Sequence, residues 1–93
     1  LLVNCTPVGV AGSATAGKPV IDAELIQPKT VVFDLVYNPA ETPLLAAAKA
    51  RGAKPVSGAG MLVYQAAESF RLWTGQDADV AAMKDAAKAA LAV

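Results

Sequence analysis

Hydrophobic and polar positions along this 93-residue chain switch between the twofold period of strands and the longer period of helices. Residues 1–5, 30–38 and 54–58 are predicted strands. The second, TVVFDLVYN, is apolar on both alternating faces, which is typical of a central strand in a parallel sheet covered by helices. Residues 6–19 contain the Pro, Gly and Ser of a loop, and residues 20–26 are predicted to form one or two helical turns.

Three helices are predicted after the second strand. The segment ETPLLAAAKARGA has Thr42 as N-cap and Gly52 at its C-terminal turn. The segment GAGMLVYQAAESFRLWTG (58–75) lies between two glycines, and Asp77 or Asp79 caps a final alanine-rich helix. The order of elements predicts the α/β class, with a three-layer parallel sheet that is half of a doubly wound domain.

Composition narrows the classes of function. The chain is 55% hydrophobic and 17% charged, which suits a piece that packs against more protein. Its formal net charge is zero with no basic cluster, so neither nucleic acid nor a membrane surface is an expected partner. One cysteine and no histidine argue against a disulfide framework and a conventional zinc site, so no metal is expected and a reducing cytoplasm is the predicted compartment.

The first residues, LLVNCTP, lack an initiator methionine and a basic flank, so they do not resemble a signal peptide. They also begin inside an apolar run. We expect the chain to be a portion of a larger enzyme, the alternative being a sequence that lacks only a few leading residues.

Polar residues follow all three predicted strands, as Asn4-Cys5-Thr6, Tyr37-Asn38 and Ser57-Gly58. Ligands of open parallel sheets bind at the carboxyl ends of the strands. These three segments are therefore expected to converge on one binding site.

Four blocks of sequence resemble the shikimate dehydrogenase family, which includes the quinate/shikimate enzymes. They are VNCTPVG (3–9), DLVYNPAETPLL (34–45), residues 58–75 and the closing helix. The resemblance implies that residues 1–93 are the C-terminal half of a Rossmann-like NADP-binding domain with C-terminal helices at 58–93. The N-terminal substrate domain and the phosphate-binding turn would then lie outside this chain.

The resemblance implies NADP-dependent reduction of 3-dehydroshikimate to shikimate, a cytoplasmic reaction of aromatic amino acid biosynthesis. The family's catalytic Lys–Asp pair belongs to the N-terminal domain, so this chain holds no catalytic residue and is expected to be inactive alone. Its expected partners are the small-molecule substrate, the missing N-terminal part of the enzyme and, for the isolated chain, itself. The alternatives are a quinate/shikimate paralogue that uses NAD and a non-catalytic half-domain that assembles with a partner.

Two groups of site residues follow from matching positions in the family's motifs. The substrate-binding residues are Tyr37 and Gln65. The cofactor-binding residues are Thr6, Pro7, Val8, Leu35, Gly58 and Met61. An amide supplies both donors and acceptors to a polyhydroxylated acid, and a glycine permits close approach of its backbone. Leu35 departs from the family, which often has methionine there, and the chain contains no GxGxxG turn.

Simpler structural roles compete with these assignments. Gln65 is otherwise a surface amide, and Tyr37 a strand-end residue with a solvated hydroxyl. Asp34 is predicted to be a structural acceptor for loop N–H groups, and Cys5 a small buried hydrophobic residue. Two further predictions concern the second helix, where Trp73 is expected to be a core anchor and Glu68 and Arg71 a solvated ion pair.

Overall fold

The computed structural model describes residues 1–91, which contain a three-stranded parallel sheet in the order β1-β2-β3. Its strands are β1 (Leu2–Asn4), β2 (Val31–Asp34) and β3 (Lys54–Ser57). Asn4 pairs with Asp34, and Asp34 with Ser57, so all three strands end at one level. The predicted strands and their parallel order are confirmed.

The central strand β2 is shorter than the predicted strand 30–38. It ends at Asp34, because Oδ1 of that side chain accepts a hydrogen bond from the N–H of Val36, two residues later. Such local side-chain bonds draw the backbone away from the sheet ladder. The residues that follow β2 therefore form a turn at the edge of the sheet.

Helix α1 (Pro43–Ala50) covers one face of the sheet. Its N-cap is Thr42, whose Oγ1 accepts a hydrogen bond from Leu45 N at 3.2 Å, and Gly52 follows it with a φ of 75°. Both signals were predicted, as was the single 3-10 turn at Ala23–Leu25. The core beneath α1 consists of Ile26, Val32, Leu44, Leu45, Ala48 and Ala53.

The opposite face of the sheet is open in the described part of the chain. Val3, Val31 and Val56 lie on it and are each 37–38% exposed. The apolar pattern on both faces of β2 is therefore matched by burial on one face only. Within residues 1–91, a helix therefore covers the sheet on the α1 face only.

Helices α2 (Ala59–Thr74) and α3 (Val80–Leu91) pack against each other as a helical hairpin. Asp79, rather than Asp77, caps α3, since its Oδ1 accepts from Ala82 N at 3.0 Å. The ammonium of Lys84 lies 4.9 Å from the centre of the Tyr64 ring, a cation–π contact that links the two helices. Of the predicted closing region 58–93, positions 92 and 93 lie outside the described residues.

The prediction of Trp73 as a core anchor is wrong, because that side chain is 84% exposed. Val63 is the only buried residue of α2, and α3 has none among its described residues. The hairpin also makes the molecule more elongated. The radius of gyration of the described residues is 14.6 Å, compared with about 12 Å expected for a compact chain of this length. The apolar side chains near the end of α2 therefore have little protein to pack against.

Candidate functional site

An open cavity of about 450 Å³ lies where β1 and β2 end. It is lined by Cys5, Thr6, Pro7, Val10, Leu35, Val36, Tyr37 and Asn38. Four of the predicted site residues, Thr6, Pro7, Leu35 and Tyr37, therefore line one cavity. The segments that follow the first two strands converge there as expected, but Ser57 and Gly58, which follow the third strand, do not line the cavity.

A buried hydrogen-bond network centred on Asp34 lies at the strand ends that lead into the cavity. Oδ1 of Asp34 accepts from Asn4 Nδ2 and from Val36 N, both at 3.0 Å. Oδ2 accepts from Thr42 Oγ1 at 2.6 Å. Asn4, Asp34 and Thr42 are at most 2% exposed. The predicted role of Asp34 as an acceptor for a loop N–H is confirmed, and two side-chain donors are added to it.

The network continues from Asn4 into the loop that carries Thr6, Pro7 and Val8. Oδ1 of Asn4 accepts from Thr6 N at 3.0 Å and from Thr6 Oγ1 at 2.6 Å. The Thr6 hydroxyl in turn accepts from Val8 N at 3.2 Å. Val8 is half-buried and, unlike Thr6 and Pro7, does not line the cavity. The conformation of this loop is therefore fixed through one amide side chain.

Gly58 lies against the end of β2. A Cβ at this position would be 2.5 Å from the carbonyl oxygen of Asp34 and 2.6 Å from that of Leu35, closer than any side chain tolerates. The first turn of α2 approaches β2 this closely only because residue 58 is glycine. The resemblance implies that a cofactor approaches this glycine closely. In the structure, the atoms close to Gly58 are the backbone carbonyls of Asp34 and Leu35.

Met61 and Gln65 lie one helical turn apart on α2, and neither lines the cavity. Both side chains are exposed, Met61 by 44%. Gln65 Nε2 donates to the carbonyl of Leu62, in its own helix, at 3.1 Å. Contacts of these two residues with a ligand stay a prediction.

Several lining residues were not predicted as site residues. Asn38 was noted only as a polar residue after a strand; its carbonyl accepts from Ala11 N at 2.8 Å and ties the two loops together. The bond between Asn38 and Pro39 is cis. Val10 stands in a loop without periodicity, so no sequence signal marked it. Cys5, predicted to be buried, is exposed at the cavity.

Charged side chains are absent from the lining of this cavity. The one ion pair of the described residues, Glu68 with Arg71, spans 2.7 Å on the exposed surface of α2, as predicted. The hydrogen bond from Arg71, together with its charge, lowers the pKa of Glu68. Residues 1–91 contain no group of three His, Cys, Asp or Glu side chains that could bind a metal ion. None of their helices is both long and apolar enough to cross a bilayer.

Comparison with known proteins shows which proteins this chain resembles. Residues 58–88 match the model described as the shikimate 5'-dehydrogenase C-terminal domain. The chain is 47% identical over 85 residues to the NADP(+) shikimate dehydrogenase of Pelodictyon phaeoclathratiforme, a match that covers 91% of this chain and 30% of that protein. The chain is a homologue of the C-terminal portion of the shikimate dehydrogenase family.

Solved structures agree with this relationship. A shikimate dehydrogenase in complex with NADP+ superposes with a TM-score of 0.90 at 40% identity, over 98% of this chain and 31% of that one. The Thermus thermophilus enzyme in complex with NADP(H) and shikimate gives 0.85 at 42% identity, over 97% and 33%. The predicted Rossmann-like α/β fold is confirmed. The chain spans about 30% of the length of the curated relative compared above.

Proposed function

We propose that these residues form the C-terminal part of an NADP-dependent shikimate dehydrogenase, a cytoplasmic enzyme of aromatic amino acid biosynthesis that reduces 3-dehydroshikimate to shikimate. The observation that carries the proposal is the cavity at the ends of β1 and β2 in a chain that matches an NADP+-bound family member with a TM-score of 0.90. The rest of the enzyme supplies the substrate domain, the phosphate-binding turn and the catalytic Lys and Asp.

The cavity suits the nicotinamide end of the cofactor. Pro7, Val10 and Leu35 give it apolar walls, while Thr6 and Asn38 add polar groups. A flat ring that carries an amide needs this combination of apolar surface and a few polar contacts. In the proposal the cofactor-binding residues are Thr6, Pro7, Val8, Leu35, Gly58 and Met61. When bound, NADP supplies the hydride chemistry, and the apolar walls exclude water from it.

Tyr37 and Gln65 hold the substrate in this proposal. The Tyr37 side chain is 38% exposed at the cavity, so its hydroxyl is accessible to a ligand. The Gln65 amide is exposed and makes one local hydrogen bond, to the Leu62 carbonyl, which a substrate hydroxyl can replace. Both side chains are neutral and both donate and accept, as recognition of ring hydroxyls requires.

The test is steady-state kinetics of the full-length enzyme with shikimate and NADP. Gln65→Ala should raise the KM for shikimate about tenfold, because substrate hydroxyls lose their partner. The matched control is Gln76→Ala, which removes an exposed amide in the loop after α2 and should leave both constants unchanged. Unchanged kcat and KM in Gln65→Ala would contradict the assignment of Gln65.

The same assay separates the related alternative. A higher kcat/KM with quinate and NAD than with shikimate and NADP would identify the quinate/shikimate paralogue. The turn that selects NADP binds the 2′-phosphate and lies in the upstream part of the proposed enzyme. The 93-residue chain alone should give no turnover with either pair of substrates.

A non-catalytic half-domain is the candidate from a different class. It is favoured by the open sheet face with Val3, Val31 and Val56, which would need a covering partner. Such apolar surface and a free sheet edge promote association. Light scattering should show that the isolated chain self-associates. A monomer with a cooperative melt would instead favour the non-catalytic half-domain.

A further inference from the structure

A single buried carboxyl group joins the two loops that line the cavity. Asp34 is completely buried, and both of its oxygens accept hydrogen bonds. Its donors are the Asn4 amide, the Val36 backbone and the Thr42 hydroxyl. None of these donors carries a charge, so the network orients its members by directional bonds rather than by an ion pair.

Each donor leads to a different part of the molecule. Through Asn4, the carboxyl group fixes Thr6 and the cofactor loop, since Asn4 Oδ1 accepts two bonds from Thr6 and Nδ2 also donates to Val8 O at 3.3 Å. Through Val36 N, it fixes the turn that presents Leu35 and Tyr37 to the cavity. Through Thr42, it holds the start of α1, an element outside the cavity.

A stable strand end does not require such a group. Burial of a polar group costs free energy unless all of its hydrogen bonds are made, and an apolar side chain would fill the same space without that cost. Satisfied buried networks instead specify one arrangement of the segments that they join. No buried side-chain nitrogen or oxygen of the described residues lacks a partner, so this network meets that condition.

We infer that Asp34 is a positioning residue of the reaction: its carboxyl group sets the distance between the cofactor loop at Thr6–Val8 and the substrate-binding Tyr37. This inference rests on the function proposed above. Asp34 is fully buried and does not line the cavity, so it acts through Asn4 and Val36. A misplacement of about 1 Å between reacting groups is enough to slow an enzyme about a hundredfold.

The first variant is Asp34→Asn in the full-length enzyme, with Val32→Ala as its control. Val32 is also fully buried, but it packs under α1 and away from the cavity, so its replacement lowers stability without touching the network. Both are measured at a temperature where circular dichroism shows them folded. Asp34→Asn should lower kcat/KM about tenfold to a hundredfold and raise both KM values, whereas Val32→Ala should change neither.

The second variant, Asn4→Ala, removes only the part of the network that leads to the cofactor loop. It removes the bonds to Thr6 and Val8 but leaves the bond between Asp34 and Val36 N. The Kd for NADPH, measured by its fluorescence, should rise several-fold, and the KM for shikimate should change by less. If Asp34→Asn does not fold, this titration of Asn4→Ala still tests the inference.

Two results would overturn the inference. One is an Asp34→Asn enzyme whose KM values and NADPH affinity match those of Val32→Ala. The other is an Asn4→Ala enzyme with unchanged NADPH affinity. Failure of the proposed function looks different, because then the wild-type enzyme itself would not oxidise shikimate with NADP.

Discussion

The end of the sheet buries polar side chains, whereas the helical hairpin exposes large apolar ones. At the sheet end, the side chains of Asn4, Asp34 and Thr42 are buried and fully hydrogen-bonded to one another and to nearby backbone. In the hairpin, Leu72 and Trp73 are large apolar side chains exposed by 73% and 84%. The sheet end is thus complete within this chain, whereas the hairpin is suited to packing against further protein.

This contrast tells which features of the candidate site the chain determines by itself. The positions of Thr6, Leu35 and Tyr37 follow from internal bonds that residues 1–91 already make. The position of Gln65 relative to them depends on α2, which touches the sheet mainly at Gly58. Variants in the two regions should therefore differ in their effect on stability.

The largest loss is expected for Thr42→Val. It removes the cap of α1 and leaves Asp34 Oδ2 buried without its donor, which together cost about 2–4 kcal/mol of unfolding free energy. Thr42→Ser keeps the hydroxyl and should cost much less. Urea-induced unfolding measures both. Equal losses for the two variants would mean that the methyl group, and not the hydrogen bonds, matters at this position.

Gly58→Ala should rank second. Its new Cβ would meet two backbone carbonyls, and relief of that overlap by a shift of α2 should cost about 1–3 kcal/mol. Gly60 is the control, since a Cβ there meets no atom within 4 Å. Gly60→Ala should be neutral or slightly stabilising, by up to about 1 kcal/mol. If the melting temperatures of both variants change by similar amounts, the contact between Gly58 and the end of β2 is less close than the distances indicate.

Trp73→Ala should change the stability of the isolated chain by no more than about 0.5 kcal/mol, because the indole is mostly in solvent. The buried Val63 offers the contrast, and Val63→Ala should cost about 1–3 kcal/mol. Since Trp73 is the sole tryptophan, acrylamide quenching of its fluorescence tests the exposure directly. Protection from acrylamide under conditions where light scattering shows a monomer would contradict this exposure.

The smallest effect is expected from Glu68→Gln. The hydrogen bond from Arg71 lowers the pKa of Glu68 when folded, so the pair stabilises the protein above the ordinary carboxyl range and stops doing so as the pH falls through the lowered pKa. Both side chains are exposed, which makes the contribution slight. The melting temperatures of wild type and variant should differ a little at pH 7 in low salt and converge as the pH falls through the lowered pKa of Glu68. A difference that does not shrink as the pH falls would require another cause.

Local signals in the sequence predicted most of the fold. Thr42, Gly52 and Gly75 carry standard end signals, and each ends or begins a helix as expected. The prediction for Trp73 failed because periodicity identifies the apolar face of a helix but not what covers it. The length of β2 was overestimated because the Asp34 side chain competes for the Val36 N–H.

The candidate site was predictable to a similar degree. Parallel strands end at a common edge, so the meeting of Thr6 with Tyr37 followed from strand order. The contribution of Val10 was not predictable, since it depends on the path of an irregular loop. The full network of Asp34 was not predictable either, because Asn4 is 30 residues away along the chain.

Gly58 is the point from which α2 extends away from the sheet. The helix meets the sheet at this residue, and at 1.5 Å per residue Gln65 stands about 10 Å along it and Thr74 about 24 Å. A rotation of about 10° around Gly58 would therefore move Gln65 by about 2 Å and the far end by about 4 Å. A displacement of Trp73 by such a rotation would move Gln65 roughly half as far, because Gln65 lies roughly half as far from Gly58.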